Sequence, residues 1–252
     1  MKRPMPSSSA TRRASRGQTA FPQARLLGLV VRGTHVVLAA EVAPYGHSEQ
    51  AMAAQMLPAK LELGMLVLAD RNFYGFKLWQ LACATGAKLA WRVKSNLKLA
   101  VQQLLPDGSY LCRVFDSSDT RRSAGQLVRV IDDTLHDSAT TVLDSYRLAT
   151  NILDPMEAPA RELAALYHER WDIEGVFDEF KTHLRANSTG LRSKTPGLVL
   201  QELWGLLLAH FAIGQLMAQA AWPRGLDPDR LSFTHAVRAI KRKMPQAAAV
   251  RP

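Results

Sequence analysis

Tyr167, Arg170, Glu174 and Lys181 follow one another with two, three and six intervening residues in the run YHERWDIEGVFDEFK. Tyr, Arg and Lys are side chains that stack on a base or hold a phosphate backbone. A carboxylate set among them is repelled by phosphate unless a cation mediates, which marks Glu174 as a metal ligand. For any one of the four, a solvated helix face with an Arg170–Glu174 pair is a sufficient account. The four together are harder to reduce to a surface. Asp70 is the natural second carboxylate. It closes the apolar run MLVLAD (65–70), and ligand groups of α/β sheets gather at strand ends. Its alternative role is to cap the helix that follows. Two carboxylates sharing a site repel unless a cation joins them. With Mg²⁺, Asp70 and Glu174 would form the base of a two-metal phosphoryl-transfer site.

Other elements must position these groups. Residues 159–185 carry the longest helical pattern in the chain. Wound at about 100° per residue, the pattern places Tyr167, Arg170, Glu174 and Lys181 within an arc of about 60°. Beside them runs an apolar stripe of Leu166, Ile173, Phe177, Phe180 and Leu184. Upstream, ARLLGLVVRG and THVVLAAEVA read as a hairpin turning at Gly33-Thr34. SEQAMAAQML (48–57) reads as a helix capped by Ser48. MLVLAD and KLAWRV (88–93) read as strands buried on both faces, with a helix over 73–86 stopped by Gly86 between them. Residues 95–150 read as short antiparallel strands separated by turns such as Pro106-Asp107-Gly108. A second apolar helix spans 198–221 and is expected in the core, being too polar at Gln201, Glu202, His210 and Gln215 for a membrane span. The stretch FTHAVRAIKRK is basic and amphipathic. This order predicts an α/β fold with a mixed sheet and an inserted β segment.

Composition narrows the function classes. The 252 residues are 47% hydrophobic and 21% charged, enough for a buried core. The two cysteines, Cys83 and Cys112, are far apart. They fit a reducing cytoplasm better than a disulfide scaffold or a zinc knuckle. No membrane partner is expected. The net charge of +10 sits at the ends. Residues 1–26 carry six Lys/Arg and no acid, and residues 220–252 carry seven against Asp227 and Asp229. Basic ends on a neutral body suit a polyanion such as nucleic acid, and a solvated tail accounts for them equally.

The spacing of Tyr167, Arg170, Glu174 and Lys181 resembles the Tyr-Arg-Glu-Lys signature of bacterial insertion-sequence DDE transposases of the insertion sequence four family. LVLADRNFYGF resembles that family's motif around its second catalytic Asp. The similarity covers roughly residues 20–205. It implies an RNase H-like (retroviral-integrase-like) fold with a β-rich insertion at 95–150. The domain plan is then a disordered basic segment 1–22, a catalytic domain 23–205 and a helical, basic C-terminal segment 206–252. The resemblance makes Asp70 and Glu174 catalytic metal ligands for Mg²⁺ (or Mn²⁺), and Tyr167, Arg170 and Lys181 DNA-binding residues. The implied activity is metal-dependent cleavage at the ends of the element, followed by attack of the freed 3′-OH on target DNA. The implied partners are double-stranded DNA and a second copy of the chain on paired ends, in the bacterial cytoplasm at the nucleoid.

One part of the pattern is missing. The family sets its first Asp on a strand ahead of the hairpin, and this chain has no acidic residue before Glu41. Glu41 sits late in the hairpin and is expected at the surface. Asn72 stands where many relatives have Gly. The expectation is a transposase lacking its front end, inactive by itself. The alternative is a catalytically dead remnant that still binds DNA.

Overall fold

The structure, a computed structural model, describes residues 13–14, 17–18, 23–136, 142–184 and 191–248. The chain divides into two compact units, one of residues 45–170 and one of residues 1–44 with 171–252. Within 1–22, only the paired two-residue strands β1 (Arg13–Ala14) and β2 (Gly17–Gln18) are described. The disorder expected there otherwise lies outside the described residues.

The unit 45–170 is built on one mixed sheet. Helix α1 (Glu49–Met56) starts at Ser48, whose Oγ accepts the amide of Ala51 at 3.0 Å. Strand β5 (Leu66–Ala69), helix α2 (Phe76–Cys83) and strand β6 (Lys88–Val93) follow. β5 and β6 are parallel, the pairing a helical crossover produces. Gly86, at φ +82°, ends the helical stretch as expected. β7 (Val101–Leu104), β8 (Tyr110–Val114), β9 (Gln126–His136) and β10 (Val142–Thr150) add antiparallel strands. The order across the sheet is β5-β6-β10-β9-β8-β7. The β-rich segment is therefore no separate layer. β10 pairs directly with β6, with Leu148 opposite Arg92, so the segment extends the same sheet. β9 and β10 are also long, at 11 and 9 residues.

Position in the sheet decides burial. Leu89, Ala90 and Trp91 of the internal strand β6 are fully buried, as expected. Among the described residues β5 pairs with β6 alone, so its residues are only partly covered and Leu66 is exposed. The expectation that both strands are buried on two faces holds for β6 and fails for β5. On the covered side, Trp79 of α2 meets Trp91 of β6 edge to face, with centroids 5.3 Å apart. Such a pair contributes about 1 kcal/mol beyond the area it buries.

In the other unit, β3 (Ala24–Val30) and β4 (Val37–Pro44) form the expected hairpin, a two-stranded sheet of its own. Gly33 and His35 turn it with φ of +84° and +55°. Its apolar residues Leu26, Val30 and Val37 pack on Val176, Phe180 and Leu207. Helix α5 (Pro196–Ala221) is long, but only one side is covered. Leu207, His210 and Ile213 are buried, whereas Trp204, Leu208 and Phe211 are exposed. The core position expected for it holds on one side, where the described residues supply its partners. By length and composition alone, Pro196–Arg224 is also long and apolar enough to cross a membrane. Helix α6 (Phe233–Ala248) packs Phe233 and Val237 on Ile213 of α5.

The stretch expected as one regular helix over 159–185 changes type three times. Helix α3 (Ala160–His168) passes into a 3₁₀ turn (Glu169–Trp171), then helix α4 (Asp172–Asp178), then a π-helical segment (Glu179–Leu184). A 3₁₀ turn advances each residue by about 120° and a π segment by less than an α-helix does. The single 60° arc computed at a constant 100° therefore does not carry across the stretch.

Candidate functional site

Asp70 ends β5 in a turn, half-buried. Its Oδ1 accepts the amide of Arg71 at 2.7 Å, and its backbone carbonyl accepts the amide of Phe73 at 2.9 Å. It caps no helix. Helix α2 begins after Gly75, which has no side chain to cap with. Gln50 of α1 shapes the turn by donating Nε2 to the carbonyls of Asn72 at 2.8 Å and Tyr74 at 3.4 Å. Asn72 therefore serves the turn through its backbone.

Tyr167 is buried, at 5% exposure, not set out on a polar stripe. Ala160, Leu163, Ala164 and Tyr167 form the buried face of α3. This is the i, i+3, i+4, i+7 pattern of an amphipathic helix, with Tyr167 as its last member. The ring packs on Tyr146 with centroids 5.6 Å apart. Its hydroxyl donates to the carbonyl of Ala69 at 3.3 Å, one residue before Asp70. Arg170 is half-buried, its guanidinium 5.3 Å from the centre of the Tyr167 ring. Burial raises the Tyr167 hydroxyl above its ordinary pKa, with Arg170 acting against that shift and Asp70 reinforcing it. Asp70, Tyr167 and Arg170 thus share one electrostatic neighbourhood inside unit 45–170.

Two polar clusters hold this arrangement, and the sequence pointed to neither. Arg129 of β9 is fully buried. It donates to Asp107, to Ser109 Oγ at 2.8 Å and to the carbonyl of Ala158 at 2.7 Å. Asp107 also accepts the amide of Ala160 at 2.9 Å, capping α3 from 53 residues away. Burial alone would raise the Asp107 pKa. Hydrogen bonds from Ser109 and from the amides of Ala160 and Ser109, together with the charge of Arg129, bring it below the usual carboxylate range. In the second cluster the Tyr146 hydroxyl lies 2.8 Å from Asp133 Oδ2 and 2.7 Å from His168 Nε2. Burial, then the bond to Asp133, raises the Tyr146 hydroxyl. Both clusters join residues brought together only by the sheet, so no local spacing announced them.

Glu174 and Lys181 belong to the other unit, Glu174 on α4 and Lys181 in the π-helical segment. At the start of that segment Glu179 lies between two histidines. Its Oε2 is 2.8 Å from His210 Nε2 and its Oε1 is 3.3 Å from His35 Nδ1. Burial would raise Glu179, but the bonds from His210 and His35 hold it below its ordinary value. His210 is itself buried and stacks on Phe180 at 4.5 Å. The cluster ties the hairpin turn and α5 to the segment that carries Lys181. Glu41 is half-buried on β4, opposite Leu27.

Carboxylate oxygens are the hard donors that Mg²⁺ or Mn²⁺ prefers. Asp70 offers one, since the only hydrogen bond its carboxylate accepts from the described residues is that of Arg71. Among the described residues, no group of three or more His, Cys, Asp or Glu side chains is placed to hold a metal ion.

The unit 45–170 thus carries an acidic strand end beside Tyr167 and Arg170, and the Tyr-Arg-Glu-Lys spacing runs on through α4 into the π-helical segment. Residues 3–212 match the family model of the transposase DDE domain, and the chain belongs to that family. It is 27% identical over 227 residues to the transposase InsG for insertion sequence element IS4 of Escherichia coli (strain K12). That alignment takes in 89% of this chain and 51% of the relative, so the chain spans about half the relative's length. A piggyBac transposase synaptic complex with hairpin DNA, solved by cryo-EM, is similar with a TM-score of 0.47 and 12% identity, over 85% of this chain and 44% of that one.

Proposed function

We propose that the chain is the catalytic part of an insertion-sequence transposase that acts on double-stranded DNA. Asp70 and Glu174 serve as its metal-binding carboxylates, and Arg170 and Lys181 hold the DNA backbone. One observation carries this reading: the Tyr167 hydroxyl bonds the carbonyl beside Asp70, so half of the Tyr-Arg-Glu-Lys signature is anchored on the acidic strand end. Tyr167 then acts by fixing that strand end and by carrying Arg170 over its ring, and not as an open stacking platform. Mg²⁺ (or Mn²⁺), when bound, would polarise the scissile phosphate and lower the pKa of an attacking water or 3′-OH. Arg170 and Lys181 neutralise backbone charge and set the register of the duplex. The enzyme works as a homodimer on paired ends, in the bacterial cytoplasm at the nucleoid.

Mg²⁺ demands near-octahedral oxygen ligation, which two carboxylates meet poorly. On this ground we infer that the polypeptide binds end DNA and that Asp70 and Glu174 by themselves do not support its cleavage. Fluorescence anisotropy with a duplex, at several salt concentrations, tests the reading. Arg170→Ala and Lys181→Ala are each expected to weaken binding and to flatten the salt dependence by about one unit of slope. Affinity unchanged in both variants would overturn it. Mg²⁺- or Mn²⁺-dependent cleavage by the purified chain would overturn the claim of inactivity and leave the assignment of Asp70 and Glu174 standing.

A further inference from the structure

Helix α6 reads FTHAVRAIKRKMPQAA and contains no acidic residue. Arg238, Lys241 and Arg242 recur at i, i+3 and i+4, which sets them on one side of the helix. All three are exposed, and none forms an ion pair with a described residue. Phe233 and Val237, with Ala236 and Ile240 beside them, pack on Ile213 of α5, so Arg238 and Arg242 face away from the buried side and Lys241 lies on its flank. The fold of this unit therefore fixes which way the cations face. Like charges at these spacings repel one another along the helix. A polyanion laid along the face relieves that repulsion.

We propose that Arg238, Lys241 and Arg242 form a second seat for duplex DNA, holding its phosphate backbone separately from Arg170 and Lys181. The proposal rests on the transposase reading above and adds a contact surface to it. From Arg238 to Arg242 the helix rises about 6 Å. A duplex presents roughly three to four charges over that length. The face therefore matches about as many phosphates as it has cations. A basic amphipathic helix lying on a membrane would need its apolar side free to enter the headgroup layer. Here Phe233 and Val237 of that side are taken up by α5, which favours DNA.

The test compares the full chain with the triple variant R238Q/K241Q/R242Q by anisotropy with a duplex, between about 50 and 200 mM salt. The triple variant is expected to flatten the slope of log affinity against log salt by about two to three units. The charge-keeping variant R238K/K241R/R242K is expected to retain the wild-type slope. A triple-variant slope equal to wild type would overturn this proposal and leave the Arg170 and Lys181 reading intact. Loss of slope in the charge-keeping variant would also overturn it, because a backbone seat needs only the charge. A wild-type chain that binds no duplex would overturn both readings. Vesicles of phosphatidylserine and phosphatidylcholine provide the other arm: binding as tight as to DNA, lost in the triple Gln variant, would assign the face to lipid and overturn the DNA seat.

Discussion

The hydroxyl of Tyr167 donates to the carbonyl of Ala69 at 3.3 Å, across 98 residues of chain. The bond ties the last turn of α3 to the end of β5, and Asp70 is the residue that follows that strand. Tyr167→Phe removes the bond and keeps the ring against Tyr146. The expected cost is about 1 kcal/mol. Tyr167→Ala also removes the ring from the core and should cost about 3–5 kcal/mol. Urea unfolding of the two variants separates the bond from the packing, and equal losses would contradict the account.

Asp70, proposed above as a metal ligand, does not support the scaffold. It caps no helix, and its carboxylate accepts only the neighbouring amide of Arg71 from the described residues. Asp70→Ala should change stability by no more than about 0.5 kcal/mol. A capping role would instead cost roughly 1 kcal/mol. The thermal midpoint distinguishes the two.

Arg129 is the opposite case, a buried cation that fastens β9 to Asp107 and to the chain leading into α3. Arg129→Ala leaves Asp107 without its charge partner and opens space in the core. The expected loss is about 3–5 kcal/mol. Arg129→Met fills more of the volume and should lose less than the alanine variant. Denaturant midpoints give the order, and a reversed order would refute the role assigned to the buried charge.

Asp107 and Glu179 predict the acid limb of stability. Each carboxyl has its folded pKa lowered, by hydrogen bonds together with Arg129 in one case and His210 and His35 in the other. A lowered folded pKa means that the stabilisation is complete above the unfolded value, about 4 for both residue types, and is lost as pH falls through the folded value. Stability should therefore fall below about pH 4, and Glu179→Gln should make that fall shallower. Unfolding curves between pH 2 and 7, about the span of these titrations, measure it. An acid limb equally steep in Glu179→Gln would show that the His35–Glu179–His210 cluster contributes nothing to it.

Cys112 is fully buried, and burial pushes its thiol up to about 11. The thiolate is the reacting species. Cys112 should resist alkylation in the native protein at neutral pH and react only after unfolding. Mass spectrometry after a short exposure to iodoacetamide checks this, and prompt native labelling at Cys112 would contradict its placement.

The sequence by itself determined the local elements and the family. Two β-rich runs around Gly33-Thr34 marked the hairpin, a short apolar run marked β6, and a helical pattern stopped by Gly86 marked α2, because each of these signals lies within a few neighbouring residues. Ser48 marked the start of α1 because a cap bonds within its own turn. The Tyr167, Arg170, Glu174, Lys181 spacing carried the transposase assignment because the motif lies in one short stretch. Tertiary structure decided what depends on partners distant in the chain. It turned Tyr167 inward, as the last member of the buried face that begins at Ala160. Among the described residues it made β5 an edge strand and β6 an internal one, although both are short apolar runs. It broke the helix over 160–184 into α, 3₁₀ and π turns. It also brought Asp107 to Arg129 and to the start of α3. A side chain's period records only that one of its faces is covered. Which face that is, and what covers it, is set by strand pairing and helix packing between residues that have no periodic relation to each other.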